Sequence, residues 1–122
     1  MAKGKSAGEF SLKFTSLTIT PGPAGSVITQ ANCEGTGTGL GTIIGTGTFV
    51  VGKSGTWSWC SQAYLDDGNQ VSAGGSGTYE SSGKHRWHTA GSHPQSDSRV
   101  LVPEGEIDLA KRSWNGKLFE NS

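Results

Sequence analysis

Three histidines lie close together in the C-terminal half of the chain, at His85, His88 and His93. Imidazole changes its charge near neutral pH, so a histidine can transfer a proton or hold a metal ion. In a regular strand, however, residues three positions apart point to opposite faces, so His85 and His88 would share a metal only across a bulge or a turn. No cysteine or acid stands at a zinc-type spacing beside them. The spacing therefore predicts hydrogen-bonded or solvent-facing histidines and no metal.

A single histidine facing an enclosed cavity is the better candidate for chemistry. His88, Glu34 and Tyr64 offer an imidazole, a carboxylate and a phenol. Around an apolar cavity these groups would suit proton abstraction or guided cyclisation, and they are our candidate catalytic residues. In the alternative arrangement Glu34 and His88 lie on the outer surface, and the sequence leaves both arrangements open.

The candidate ligand-binding residues are mainly tryptophans. Trp57, Trp59 and Trp87, with Cys60 beside them, would line a site for a flat or hydrophobic molecule. Small-molecule sites are mostly apolar and carry few polar groups, which agrees with such a wall. The same tryptophans also suit a packed core, and a barrel filled by them would have no cavity.

Two further patterns resemble functional motifs. The glycine-rich stretch from Gly37 to Gly41 could cradle a phosphate, but no GxxxxGK[ST] motif and no helical pattern accompany it. Asp66 and Asp67 precede Gly68 between two strand patterns, which is typical of a hairpin turn rather than of paired catalytic acids. The sequence therefore predicts no cofactor.

Short strands separated by turn signals must position these residues. Three Gly-Thr-aromatic triplets begin at Gly47, Gly55 and Gly77, and threonine and aromatic residues suit a pleated, half-buried surface. A change in the phase of alternation near Ser16 predicts a bulge there. Asn115-Gly116 predicts a tight turn. The predicted strands are Glu9–Thr20, Ser26–Thr36, Thr42–Val51, Thr56–Leu65, Gln70–Ser81, Lys84–Ala90, Arg99–Val102 ended by Pro103, a strand or short helix within Gly105–Trp114, and Lys117–Glu120.

Closure of these strands into a barrel is favoured over a sandwich. Closure removes edge strands, and glycines inside strands supply the necessary curvature. We therefore predict an all-β fold, a compact antiparallel up-and-down β-barrel of about eight strands. Residues 1–8 are expected to form a flexible tail before a single domain over residues 9–122.

The run from Gly41 to Gly91, with its segments GTGTF, KSGTW and GSGTY, resembles a known group of proteins. It is similar to the small bacterial calycin-type barrels related to allene oxide cyclase. The resemblance implies a barrel of about eight strands, often oligomeric, with a lumen able to hold a small apolar ligand. That superfamily includes cyclases, but none of their catalytic residues matches a position in this chain.

Composition excludes several other classes of protein. The 122 residues carry 10 Lys+Arg and 10 Asp+Glu, so the chain lacks the basic character of a nucleic-acid-binding protein. No apolar run approaches the length of a membrane helix, and no secretory signal follows the N-terminal lysines, so we expect a cytoplasmic protein that binds neither nucleic acid nor membrane. With only two cysteines, Cys33 and Cys60 are expected to be free thiols.

The segment Thr42–Val51 is apolar on both faces, through Ile43, Ile44, Phe49, Val50 and Val51. One of these faces needs a cover, which predicts a homo-oligomer, most simply a dimer. Taken together, the sequence favours a small barrel protein that binds a small, mostly apolar molecule in its lumen. Tyr64, Trp59 and His88 are expected near that site, close to the Asp66–Asn69 turn. The alternatives are an isomerase or cyclase acting on an apolar substrate, and a structural or assembly subunit without a ligand.

Overall fold

A computed structural model describes residues 3–51 and 55–121 of the chain. Each strand pairs antiparallel with the next, and the last pairs with the first, so the predicted closed up-and-down barrel of eight strands is confirmed. The strands are β1 (Lys3–Pro21), β2 (Val27–Gly37), β3 (Gly41–Val51), β4 (Thr56–Tyr64), β5 (Gln70–Gly83), β6 (Arg86–Pro94), β7 (Val100–Asp108) and β8 (Ser113–Asn121). A short 3-10 turn at Pro23–Gly25 joins β1 to β2.

The first strand is longer than its sequence pattern indicates. The pairing of β1 with β2 shifts by one residue between Phe14 and Ser16, which confirms the predicted bulge. The strand also begins at Lys3, and Ser6 pairs with Phe119 of β8. A flexible tail over residues 1–8 is therefore wrong from Lys3 onward, because β8 offers these residues backbone partners; Met1 and Ala2 lie outside the described residues.

The C-terminal third differs most from the prediction. β6 continues through His93, where a polar loop was expected, and β7 runs through Pro103 instead of ending there. The segment from Gly105 to Trp114 contains the end of β7, a turn and the start of β8, and no helix. Asn115 and Gly116 lie inside β8 and pair with Glu106 and Gly105, so the predicted turn is wrong. Pairing on both sides of β8 overrides the local turn preference of this dipeptide.

Inward-facing glycines make room for the aromatic residues of the core. A Cβ added at Gly77 would lie 2.6 Å from Cζ2 of Trp57 and closer still to the Ala90 carbonyl oxygen. Real Cβ atoms do not approach other atoms this closely, so only glycine leaves room at this position for the Trp57 indole. The glycines of the Gly-Thr-aromatic pattern therefore serve packing as well as curvature.

Trp114 lies at the centre of the barrel interior, among four other rings. Its ring centroid is 5.4 Å from that of Trp57 and 5.5 Å from that of Trp59, both nearly perpendicular. Phe49 and Phe10 contact it at 5.5 Å and 6.4 Å. Edge-to-face contacts of this kind add to the apolar burial of large rings. The cluster fills the middle of the lumen and leaves space only towards the two ends.

Among the residues that the structure describes, no helix has the length and apolar character needed to cross a membrane.

Candidate functional site

The described residues enclose two separate compartments in the lumen, one at each end of the barrel. We call the first the His93 chamber; it lies at the end that carries the Asp66–Asn69 turn. The second, the apolar cup, opens at the opposite end. The two compartments share no lining residue. Trp114 contacts Trp59 in the chamber wall and Phe49 in the cup wall, so the aromatic cluster separates them.

The His93 chamber is a small cavity of about 50 Å³. Most of its wall is apolar, and its polar side chains come from Ser61, His93 and Gln95. The lining residues are Phe10, Leu12, Leu40, Ile43, Trp59, Ser61, Ala63, Val71, Ala73, His93, Gln95, Leu101, Pro103, Trp114 and Leu118. A mostly apolar cavity with a few converging polar groups is the usual form of a small-molecule site.

Neighbouring aromatic rings fix the orientation of the His93 side chain. Its ring stacks on Trp59 at a centroid distance of 6.2 Å and an interplanar angle of 7°. Its other contact is edge-on with Trp57 at 5.5 Å. The facing residue on β5 is Gly75, where an added Cβ would lie 2.5 Å from Cδ2 of His93. The sequence therefore provides a flat aromatic support for the imidazole at Trp59, and a glycine at position 75 that leaves room for the ring.

Gln95 is held beside His93 by backbone pairing beyond the end of β6. It forms an isolated bridge with Ala73 of β5, and its N–H donates to the Arg99 carbonyl oxygen at 2.8 Å. The next residue, Ser96, donates its N–H to the Ser72 carbonyl oxygen at 2.8 Å. These bonds place the Gln95 amide at the chamber although the residue lies outside a regular strand.

Two polar atoms of this chamber are buried without a hydrogen-bond partner, Nε2 of His93 and Oε1 of Gln95. Within the described part of the chain, every other buried side-chain nitrogen or oxygen atom has a hydrogen-bond partner. An unsatisfied buried polar group costs about 1–3 kcal/mol, so such atoms are uncommon and commonly mark a ligand or water position. Both atoms belong to residues that line one cavity, which makes the chamber the candidate functional site.

The chamber is electrically neutral. Burial lowers the pKa of His93 to about 4, because the charged imidazolium would lose its hydration, so the ring is neutral at pH 7. No other lining residue is titratable near neutral pH. In this state Nε2 can accept or donate a single hydrogen bond, according to tautomer, and Oε1 of Gln95 can accept one. The chamber can therefore hold a neutral group that both donates and accepts.

The candidate catalytic residues lie elsewhere. Glu34, Tyr64 and His88 are all exposed on the outer surface, so the expectation that they line the lumen is wrong. Cys60 is exposed on the outside of β4 as well. In each strand the opposite parity faces inward: Cys33 rather than Glu34, Trp59 and Ala63 rather than Cys60 and Tyr64. The large apolar side chains are buried inside the barrel. Because neighbouring residues of a strand point to opposite faces, the polar residues between them lie on the outer surface.

The predicted tryptophan wall is divided between the compartments. Trp59 lines the His93 chamber, at the end near the Asp66–Asn69 turn. Trp87 lines the apolar cup at the other end. Trp57 lines neither compartment; it supports His93 and donates from Nε1 to the Thr78 carbonyl oxygen at 3.0 Å.

Sequence reasoning missed His93, Gln95 and Trp114 as residues of the site. The signal for His93 is present, since Trp87, Thr89, Gly91 and His93 alternate on one face once the strand is extended past Ala90. Gln95 carries no such signal, because its position depends on a bridge to β5. Across the described ranges 3–51 and 55–121, no group of three or more His, Cys, Asp or Glu residues is placed to hold a metal ion.

The fold and the site together define a closed eight-stranded antiparallel barrel with a small neutral chamber in its lumen. Comparisons with protein-family models, with curated proteins and with solved structures find no match to this chain. The similarity to barrels related to allene oxide cyclase therefore stays a prediction.

Proposed function

We propose that this protein binds a small, mostly apolar molecule in the His93 chamber through a neutral hydroxyl group. The observation that supports this is the pair of unsatisfied buried atoms, Nε2 of His93 and Oε1 of Gln95, in an otherwise apolar wall. A hydroxyl group can donate to the Gln95 oxygen and accept from the His93 ring in its Nε2–H tautomer. The apolar part of the molecule then contacts Trp59 and the aliphatic residues around it.

The volume of the chamber limits the size of the ligand that it can bind. One buried water needs about 10–15 Å³, so a volume of about 50 Å³ holds roughly three to five heavy atoms. The ligand is therefore a very small alcohol, or the hydroxyl-bearing end of a larger molecule. Anions and cations are disfavoured, since no lining side chain carries charge at neutral pH.

Binding is favoured over acid–base catalysis at this site. A general base works best with a pKa near the operating pH. Burial takes the pKa of His93 down to about 4, which makes the imidazole a weak base at pH 7. Its neighbours in the wall supply no carboxylate or second base.

The test compares small alcohols with ethers of similar size, using calorimetry and the fluorescence of Trp59 and Trp114. Alcohols should bind and ethers, which cannot donate to Gln95, should bind at least tenfold more weakly. Gln95→Leu should weaken alcohol binding at least tenfold, which corresponds to the loss of one buried hydrogen bond. The matched control is Gln30→Leu, at an exposed outer position of β2.

His93→Phe, which keeps an aromatic ring against Trp59, should also weaken alcohol binding, while His88→Phe on the outer surface should not. Equal affinity for alcohols and ethers, or unchanged binding in Gln95→Leu, would contradict the proposal.

A further inference from the structure

The apolar cup at the other end of the barrel has a wall of aromatic rings and aliphatic side chains. Its volume is about 210 Å³, and the lining residues are Phe14, Leu17, Ile19, Thr29, Ala31, Phe49, Tyr79, Trp87, Ile107 and Leu109. The Tyr79 hydroxyl donates to the Val50 carbonyl oxygen at 3.0 Å, so its proton is already used in a hydrogen bond to the barrel wall. A bound molecule therefore contacts mainly rings and aliphatic groups.

The lip of the cup is exposed to an unusual degree. Ile19 is 67% exposed and Leu17 is 36% exposed, and Trp87 is half-buried. Isolated exposed apolar residues are normal on a protein surface, but here they continue directly into an apolar cavity. The cup is smaller than the roughly 300–1,000 Å³ of drug-sized sites, which favours a compact ligand.

Basic residues lie in two turns at this end. The β5–β6 turn carries Lys84, and the β7–β8 turn carries Lys111 and Arg112. The two turns are joined by a hydrogen bond of 3.1 Å from the Leu109 N–H to the His85 carbonyl oxygen, and Leu109 itself lines the cup. All three basic side chains are exposed, and within the described part of the chain none of them forms an ion pair.

The two turns at the cup carry basic residues and no acidic ones, although the chain as a whole is neutral. The nearby Asp108 is the last residue of β7, and its Oδ1 accepts a hydrogen bond from the Lys111 backbone N–H at 3.4 Å. The cup is thus an apolar space with an excess of positive charge near its mouth. Two cups facing each other would bring like charges together, which disfavours a second copy as the occupant.

We propose that the apolar cup binds a compact aromatic anion. Its ring system lies between Trp87 and Ile19, against Phe14 and Phe49, and its acidic group points out of the cup towards Lys84, Lys111 and Arg112. Apolar burial supplies most of the affinity, and the basic turns select the sign of the charge. This site is independent of the proposed alcohol site, since the two compartments share no lining residue.

The experiment compares three probes with the same ring system, 2-naphthoate, 2-naphthylmethanol and 2-naphthylmethylammonium, by calorimetry and by the NMR signal of the Trp87 indole N–H. Naphthoate should bind at least tenfold more tightly than the ammonium probe. Raising the salt concentration from 20 to 500 mM should weaken naphthoate binding several-fold and leave the alcohol unchanged. Equal affinity for the anion and the cation would overturn the proposal.

Matched variants locate the site. Ile19→Asp should abolish naphthoate binding, while Ile44→Asp, at a position 52% exposed on the outer wall, should not. Lys84→Glu with Lys111→Glu should reduce the preference for the anion at least fivefold, and Lys117→Glu on β8 should leave it unchanged. Gln95→Leu should not affect naphthoate, so failure at the chamber is distinguishable from failure at the cup.

Two results would assign the cup to another occupant and overturn the proposal. One is cosedimentation with phosphatidylglycerol vesicles, lost in Ile19→Asp, without binding of soluble naphthoate. The other is a dimer that Ile19→Asp dissociates and that naphthoate does not affect.

Discussion

The indole Nε1 of Trp114 donates a hydrogen bond of 3.0 Å to Oγ1 of Thr89 in the middle of the barrel. Thr89 is 2% exposed and Trp114 is 3% exposed, so neither group has water as an alternative partner. This bond fixes the central ring of the aromatic cluster, and that cluster divides the lumen into the chamber and the cup.

Thr89→Val should destabilise the protein by about 1–3 kcal/mol, because it leaves the Trp114 N–H buried without an acceptor. Chemical denaturation followed by circular dichroism measures the change. Thr48→Val on the outer face of β3 is the control and should stay within about 0.5 kcal/mol of the parent protein.

The same substitution made in a Trp114→Phe background should cost less, since the donor is already absent. An equal cost in both backgrounds would show that the hydrogen bond does not couple the two residues and that the loss comes from packing alone.

Most of the fold follows from local patterns in the sequence. Phe10, Leu12 and Phe14 alternate inward as predicted, and the bulge before Ser16 is visible as a change in that alternation. The boundaries fail where pairing with a distant strand extends a segment whose own composition is weak. His93 and Pro103 lie in strands because each pairs with a neighbouring strand, His93 with Leu101 of β7 and Pro103 with Leu118 of β8.

The site is less predictable than the fold, because the sequence does not determine which of two alternating sets of residues in a strand faces the lumen. Whether Glu34 or Cys33 faces the lumen depends on one residue of phase, which an isolated strand pattern does not determine. The chamber requires in addition that the tryptophans fill the middle of the lumen, not its ends. That depends on glycines opposite the rings, such as Gly75 and Gly77, through contacts between strands that the sequence does not reveal.

The two cysteines should differ sharply in reactivity. Cys33 faces the core and Cys60 is exposed on the outer wall, and both are free. Burial raises the pKa of the Cys33 thiol to about 12, partly offset by a hydrogen bond with the backbone of Gly47, so its reactive thiolate is scarce. Iodoacetamide with mass spectrometry should label Cys60 alone in the native protein and both residues after denaturation. Comparable labelling of Cys33 under native conditions would contradict its burial.

Self-association remains a prediction, and the structure shows which apolar residues of β3 are exposed and could form the interface. Ile43 and Phe49 are buried in the barrel, whereas Ile44 is 52% exposed and Val50 is half-buried on the outer wall; the side chain of Val51 lies outside what the structure describes. We expect a dimer by light scattering at high micromolar concentration, and Ile44→Lys should shift the mass to that of a monomer. Ile19→Lys, at the lip of the cup, is the control. A monomer in the unmodified protein would leave Ile44 as an isolated exposed residue.

Stability should depend on pH through His93. Its folded pKa of about 4 lies below the ordinary value of 6.5, so between these pH values the unfolded chain binds a proton that the folded chain does not. The free energy of unfolding should therefore be fully retained above pH 6.5 and should fall as the pH drops towards 4, by about 3 kcal/mol in total. Urea denaturation at half-unit steps of pH measures this. His93→Gln should flatten the curve over this interval and His88→Gln should not. A slope that survives in His93→Gln would mean that another group carries the pH dependence.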